Sequence, residues 1–258
     1  MKTTIYSVYY ENKSYEFQND WLKPIAAGNL SHEWRLSGKL SDDTGENIND
    51  LNKYFCELTA HYNLWKNNFY DNEIVGLCHY RRYLNLIKLQ DNVHGRLKFE
   101  PRNDVLELLQ NDDQILNIKR ILLQYQIIVP EKHLLGQSIA QHFHIEHEKD
   151  IWQCFLDSIS EVLPQYKSSI DFFELDYGLS LNNMFITKSE NASKYFKYLF
   201  AILNSMISKI GLEIEGGNPR FPNYRYPAFI AERFLNFFIF CENLKPYYAQ
   251  QIVLELDA

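Results

Sequence analysis

Glycine and proline are scarce, ten and eight among 258 residues, which excludes a collagen-like or low-complexity chain and leaves little composition for a long linker or a disordered tail. The four cysteines, Cys56, Cys78, Cys154 and Cys241, contain no Cys-x-x-Cys pair, so neither a zinc knuckle nor a disulfide framework is indicated. They read as reduced, mostly buried thiols. Basic residues are outnumbered, 26 Lys and Arg against 33 Asp and Glu, for a formal net charge of −7. A phosphate-backbone binder needs the opposite field, which disfavours nucleic acid as a partner. No apolar run reaches the roughly 18 residues of a membrane span. The opening Met-Lys-Thr-Thr, followed by Ile5 to Tyr10, is too short and polar for a secretory signal and reads as a first strand, so the expected compartment is the cytoplasm.

What the chain does have is apolar and aromatic mass. Hydrophobic residues make up 46% and aromatics 15%, with 18 Tyr and 17 Phe, enough for one substantial core, and a single domain over residues 1–258 is expected. Rings at this density suit carbohydrate handling, because sugar CH faces stack on them; a tyrosine-rich core is the plainer alternative.

Hydrophobic patterning alternates between the two regular periods. Ile5 to Tyr9 is β-branched and aromatic, and Lys23 to Gly28 is a second short segment. Leu51, Tyr54, Phe55, Leu58, Tyr62 and Trp65 recur at spacings of three and four, predicting one amphipathic helix over 51–67. Ile74-Val75-Gly76-Leu77-Cys78 is continuously apolar, the mark of a strand covered on both faces. Ile127 to Pro130 and Leu181 to Thr187 read as further strands. Helices are expected at about 104–124, 146–163, 192–210 and 228–241. Strands alternating with helices indicate an α/β domain.

In open α/β sheets ligands bind beyond the carboxyl ends of the strands. The buried run ending at Cys78 is followed there by His79, Tyr80, Arg81 and Arg82. Two guanidinium groups, an imidazole and a phenol at a strand end can neutralise a diphosphate by charge-assisted bonds, or one arginine can instead pair with a core carboxylate. Asp42, Asp43 and Thr44 offer acceptors to ribose hydroxyls, or simply build a turn. Glu57 and His61, four apart, can orient a substrate group or form a solvated pair. Gln141 to His147 carries three histidines but no His-Glu-x-x-His and no fourth ligand at usual spacing, which argues against zinc.

Three ordered segments, Asp42-Asp43-Thr44-Gly45-Glu46-Asn47-Ile48, Cys56-Glu57-Leu58-Thr59-Ala60 and Gly76-Leu77-Cys78-His79-Tyr80-Arg81-Arg82-Tyr83, resemble the successive signatures of a family of bacterial capsular and exopolysaccharide biosynthesis glycosyltransferases defined by an uncharacterised domain. Ile128-Val129-Pro130, Asn183-Met184-Phe185-Ile186 and Ala231-Glu232-Arg233 are later echoes. The resemblance implies a GT-A-like, Rossmann-type, mostly parallel sheet flanked by helices, with a helical C-terminal part. It implies a nucleotide-sugar half over about 1–130, an acceptor half over about 131–258, and a UDP-sugar donor; some members of the family are implicated as galactofuranosyltransferases. The implied acceptor is a lipid-linked surface glycan, which places the protein peripherally at the inner membrane face.

On that reading Asp42, Asp43, Thr44, His79, Tyr80, Arg81 and Arg82 bind the donor, and Glu57, Asn183 and Arg233 contact substrate. Asp176 and Glu232 are the candidates for the general base of an inverting transfer. GT-A enzymes commonly hold a divalent metal on the donor diphosphate with Asp-x-Asp, and none occurs here. The arginines at the strand end are expected to take over that electrostatic role, so no cofactor is required; Glu174-Leu175-Asp176 is the nearest acidic substitute. A nucleotide-sugar hydrolase and a non-catalytic carbohydrate-binding scaffold are the competing functions.

Overall fold

The computed structural model describes residues 2–13, 16, 18–67, 72–87, 96–101 and 103–255. Its strands are β1 (Thr3–Tyr9), β2 (Leu22–Ala26), β3 (Ile74–His79), β4 (Arg82–Asn85), β5 (Arg96–Phe99), β6 (Ile127–Pro130), β7 (His133–Leu134), β8 (Gly178–Leu179), β9 (Phe185–Lys188), β10 (Gly217–Asn218), β11 (Phe221–Pro222) and β12 (Pro246–Leu254). The helices are α1 (Leu30–Leu36), α2 (Asn52–Phe55), α3 (Leu58–Asn67), α4 (Asn103–Gln110), α5 (Asp112–Ile121), α6 (Ile139–Glu146), α7 (Lys149–Val162), α8 (Phe172–Leu175), α9 (Ser189–Ile210) and α10 (Tyr226–Cys241).

Eight strands form one mixed sheet. β2, β1 and β3 lie side by side in parallel, and β9 joins β3 antiparallel. β6 is antiparallel to β9 and so runs the same way as β3, with β12 parallel beyond it. β4 returns antiparallel to both β12 and β3, meeting β3 only at His79↔Arg82, and β5 adds to β12 in parallel. The expectation of a mostly parallel sheet is therefore corrected, since four of its eight pairings are antiparallel. This topology still brings the carboxyl ends of β1, β3 and β6 to one edge, together with the start of β9.

Alternation along the strands divides the core between the two faces. Val75 and Leu77 join Val8, Val129 and Phe185 against α3, α6, α7, α9 and α10. Ile74 and Cys78 join Ile5, Ile128, Ile186 and Ile252 against α4 and α5. Between them Gly76 has no room for a side chain, since a Cβ there would lie 2.5 Å from Ile5 Cδ1 and 2.8 Å from Ile186 Cγ1.

Several predicted helices are interrupted. The 51–67 helix divides at Cys56, whose backbone sits at φ 51°, ψ −128°. The 104–124 helix divides at Asn111, whose side chain accepts from Asp113 N at 2.8 Å and caps α5. Ser138 and Gln141 form a capping box that starts α6 well before residue 146, and β9 begins only at Phe185 because Asn182 and Asn183 occupy left-handed backbone. β12, which the sequence reading did not anticipate, completes the sheet. Among the described residues no helix is long and apolar enough to cross a membrane.

Candidate active site

A cleft of about 900 Å³ opens at the sheet edge where β1 and β3 end. It gathers His79, Tyr80, Arg81 and Arg82 from the β3–β4 turn, Glu57 from the α2–α3 junction, Asn183 from the turn before β9, and Glu232 and Arg233 from α10. Eight of the twelve residues singled out from the sequence thus converge, from both halves of the chain.

The floor is a polar network around the turn before β9. Asn182 and Asn183 are both left-handed, φ 71° and 49°, a conformation that costs energy outside glycine and that asparagine tolerates best. The turn is held from three sides. His79 Nε2 donates to Asn182 O at 2.6 Å; a carbonyl can only accept, which fixes the imidazole tautomer. Asn182 N donates to Glu232 Oε1 at 2.7 Å. Asn183 Nδ2 donates to Glu57 Oε1 at 2.7 Å and to Ala228 O at 3.1 Å. Tyr10 OH completes the Glu57 carboxylate from the end of β1, at 3.1 Å.

These contacts set the two carboxyls apart. Burial pushes Glu57 up, but the His79 ring, the Asn183 amide and the His61 ring prevail and hold it below the usual carboxylate range. Glu232 moves the other way: burial, reinforced by the Glu57 charge, raises it against Arg233, the Asn182 N–H and Arg82. With 17% of its side chain exposed, Glu232 is accessible and basic, whereas Glu57 is a fixed anion tied into the floor. Burial lowers His79 from the ordinary imidazole value, against the opposing pull of the Glu57 charge.

Arg233 is a brace. Its guanidinium, 4% exposed, donates to Phe229 O at 3.1 Å, faces Glu232 Oε2 at 3.3 Å and lies 3.1 Å from His142 Nδ1. Arg81 and Arg82 differ. Arg81 lies 5.7 Å over the Tyr80 ring, and Arg82 is depressed by burial and by the charges of Arg81 and Arg96. Among the described residues, no carboxylate forms an ion pair with Arg81, Arg82, Arg96, Arg220 or Arg225, all of which line the cleft. Arg225 instead donates Nε to Cys56 Sγ at 3.0 Å. A protein of net charge −7 thus has a cationic cleft, suited to an anionic ligand.

Four expected site residues lie elsewhere. Asp42 is fully buried and faces inward: its oxygens accept from Ser31 Oγ and Thr59 Oγ1 at 2.5 Å each, Asn49 Nδ2 at 2.6 Å and Gly28 N at 3.4 Å. It ties the end of β2 to α1 and α3. Asp43 pairs with Arg35 at 2.9 Å and Thr44 Oγ1 donates to Ser41 O at 3.2 Å, so the acidic loop satisfies itself and does not line the cleft. Asp176 pairs with Lys132 at 2.5 Å and accepts from Gly178 N at 2.9 Å, on a separate groove. Of the two carboxylates expected to act as a base, Glu232 alone lines the cleft, where Glu57 and Glu146 are its acidic neighbours. The histidines of α6 do not assemble a metal site: among the described residues no group of three His, Cys, Asp or Glu is placed to hold a metal ion.

The structure adds Tyr10, Arg96, His133, Arg220, Arg225 and Phe229 to the lining. None belongs to a recognisable motif.

The fold matches the apo structure of WbbM, described as a bifunctional glycosyltransferase, with a TM-score of 0.86 and 24% sequence identity. The match covers 99% of this chain and 46% of that one, so the chain spans less than half of its length, and the likeness is one of fold. No curated protein matches the sequence. Residues 4–243 match the family model described as a domain of unknown function, DUF4422, and the chain belongs to that family.

Proposed function

We propose that the cleft binds a nucleoside-diphosphate sugar, a UDP-sugar and UDP-galactofuranose among them, and transfers its sugar to a hydroxyl of a surface-polysaccharide acceptor. The observation that carries this reading is the raised, accessible carboxyl of Glu232 beside a wall of arginines without carboxylate partners among the described residues, on a fold shared with a glycosyltransferase. Arg81, Arg82 and Arg96 hold the diphosphate and stabilise the charge that grows on it as the sugar departs. In an inverting transfer Glu232 accepts the proton of the acceptor hydroxyl. The acceptor oxygen then bonds to the anomeric carbon as the bond from that carbon to the phosphate oxygen breaks, and the electron pair leaves with the diphosphate.

Arg233 and the Asn182 N–H keep the Glu232 carboxylate oriented, while Glu57 and Asn183 position the turn and face the substrate. The guanidinium groups supply the charge that a metal provides in Asp-x-Asp enzymes, so donor binding proceeds without a divalent ion. The acceptor is a lipid-linked glycan reached by peripheral contact at the inner membrane face. Glu232→Gln tests the base. It keeps the shape and the hydrogen bond from Asn182 but cannot take a proton, so kcat should fall by about 10²–10⁴ with UDP affinity retained. Turnover at the wild-type rate would remove Glu232 from the chemistry, and release of free sugar at full rate without acceptor would mark a hydrolase.

A further inference from the structure

A second groove of about 230 Å³ adjoins the cleft, lined by Lys132, Asp176, Asn236, Phe240, Asn243 and Tyr248 among others. The two share a wall: Lys132 and Ser180 line the groove, while their chain neighbours His133 and Leu181 line the cleft. Helix α10 joins them. Glu232 faces the cleft, and Asn236 and Phe240, spaced i+4 and i+8 on the same side, face the groove. At 1.5 Å per residue Phe240 sits about 12 Å down the helix from Glu232.

The groove differs chemically from the cleft. Among the described residues its only charged lining groups, Lys132 and Asp176, neutralise one another at 2.5 Å, so these give it no preference for an anion or a cation. Phe240, stacked on Phe172 at 4.9 Å between centroids, and Tyr248 are 54% and 42% exposed. Asn243 is exposed beside them, offering an amide donor and acceptor, and the Tyr248 hydroxyl adds another. Flat apolar faces interleaved with uncharged hydrogen-bonding groups match a ligand that is itself half CH face and half hydroxyl. A lipid chain would leave the polar groups unpaired, and a nucleotide would find no cation free of a partner.

We propose that this groove binds a neutral oligosaccharide, the part of the acceptor glycan remote from the reacting hydroxyl; the inference rests on the transferase reading of the cleft. The test is titration calorimetry with neutral galactose oligosaccharides, from a disaccharide to a hexasaccharide, in the presence of UDP. The hexasaccharide should bind at least about tenfold tighter than the disaccharide, and Phe240→Ala or Tyr248→Ala should remove that advantage while UDP affinity stays within about twofold. Asn243→Gly, which suits the left-handed backbone at φ 49° and deletes only the amide, should weaken the hexasaccharide alone and serves as the arm least exposed to misfolding. Equal binding of all lengths, binding of none, or indifference of the long ligand to all three substitutions overturns the groove assignment. If UDP itself fails to bind, the reading of the cleft falls instead.

Discussion

At the scale of single residues, one raised carboxyl and two depressed imidazoles carry opposite messages about pH. Glu232 is raised by burial and must be deprotonated to act as a base, so the acidic limb of kcat/KM should lie above the ordinary carboxylate value of about 4.3. Glu232→Gln should abolish that limb; an unchanged limb would assign it to another group. His61 and His147 are depressed by burial to about 3 and about 4. Above pH about 6.5 folded and unfolded chains both hold these rings neutral. Below it the unfolded chain gains protons that the folded one refuses, and stability falls as pH drops toward 4, by up to about 1.4 kcal/mol per pH unit for each histidine. His61, 1% exposed and 5.9 Å from the Phe196 ring, has Nε2 without a hydrogen-bond partner. His61→Phe should therefore flatten the decline in urea midpoint between pH 6.5 and 4, and a slope as steep as wild type would show that His61 takes no part in it.

At the scale of elements, Gly76 of β3 sits where the side chains of Ile5 on β1 and Ile186 on β9 close over it. Gly76→Ala should cost about 1–3 kcal/mol through overpacking against Ile5 and Ile186, seen as a lower urea midpoint at constant slope; an unchanged midpoint would mean the strands separate easily. The strands around Gly76 were legible because continuous apolar runs have few other uses. The helix breaks were not. The stripe Leu51, Tyr54, Phe55, Leu58 keeps helical spacing across Cys56, and nothing about a cysteine announces a backbone at φ 51°. β12 escaped notice because Tyr247, Tyr248, Gln250 and Gln251 break the apolar run, and its place between β4 and β6 depends on residues 119 and more positions away. The strand-end rule pointed to His79 to Arg82, and these residues line the cleft. It said nothing of Arg96, Arg220 or Arg225, which arrive there by long-range topology. The acidic loop misled because carboxylates suited to ribose hydroxyls are equally suited to Ser31, Asn49 and Thr59.

At the scale of the whole molecule, charge is segregated: an acidic protein encloses a cleft with five arginines free of carboxylate partners among the described residues. Both halves of the chain build that cleft, and β12, the last described strand, returns to pair with β4 and β5. On the proposed function these guanidinium groups bind a nucleotide diphosphate without a metal. Each charge-assisted contact contributes about 1.5–3 kcal/mol, which corresponds to roughly ten- to a hundredfold in affinity. The most direct measurement is calorimetric titration of UDP in the presence of EDTA into the wild-type protein, Arg81→Ala, Arg82→Ala and Arg82→Lys. The wild type should bind with EDTA present, at least one alanine variant should lose about tenfold or more, and lysine should restore only part of what Arg82→Ala loses, since an ammonium lacks the planar fork. Binding that EDTA abolishes, with both alanine variants indistinguishable from wild type when a divalent metal is supplied, would contradict it.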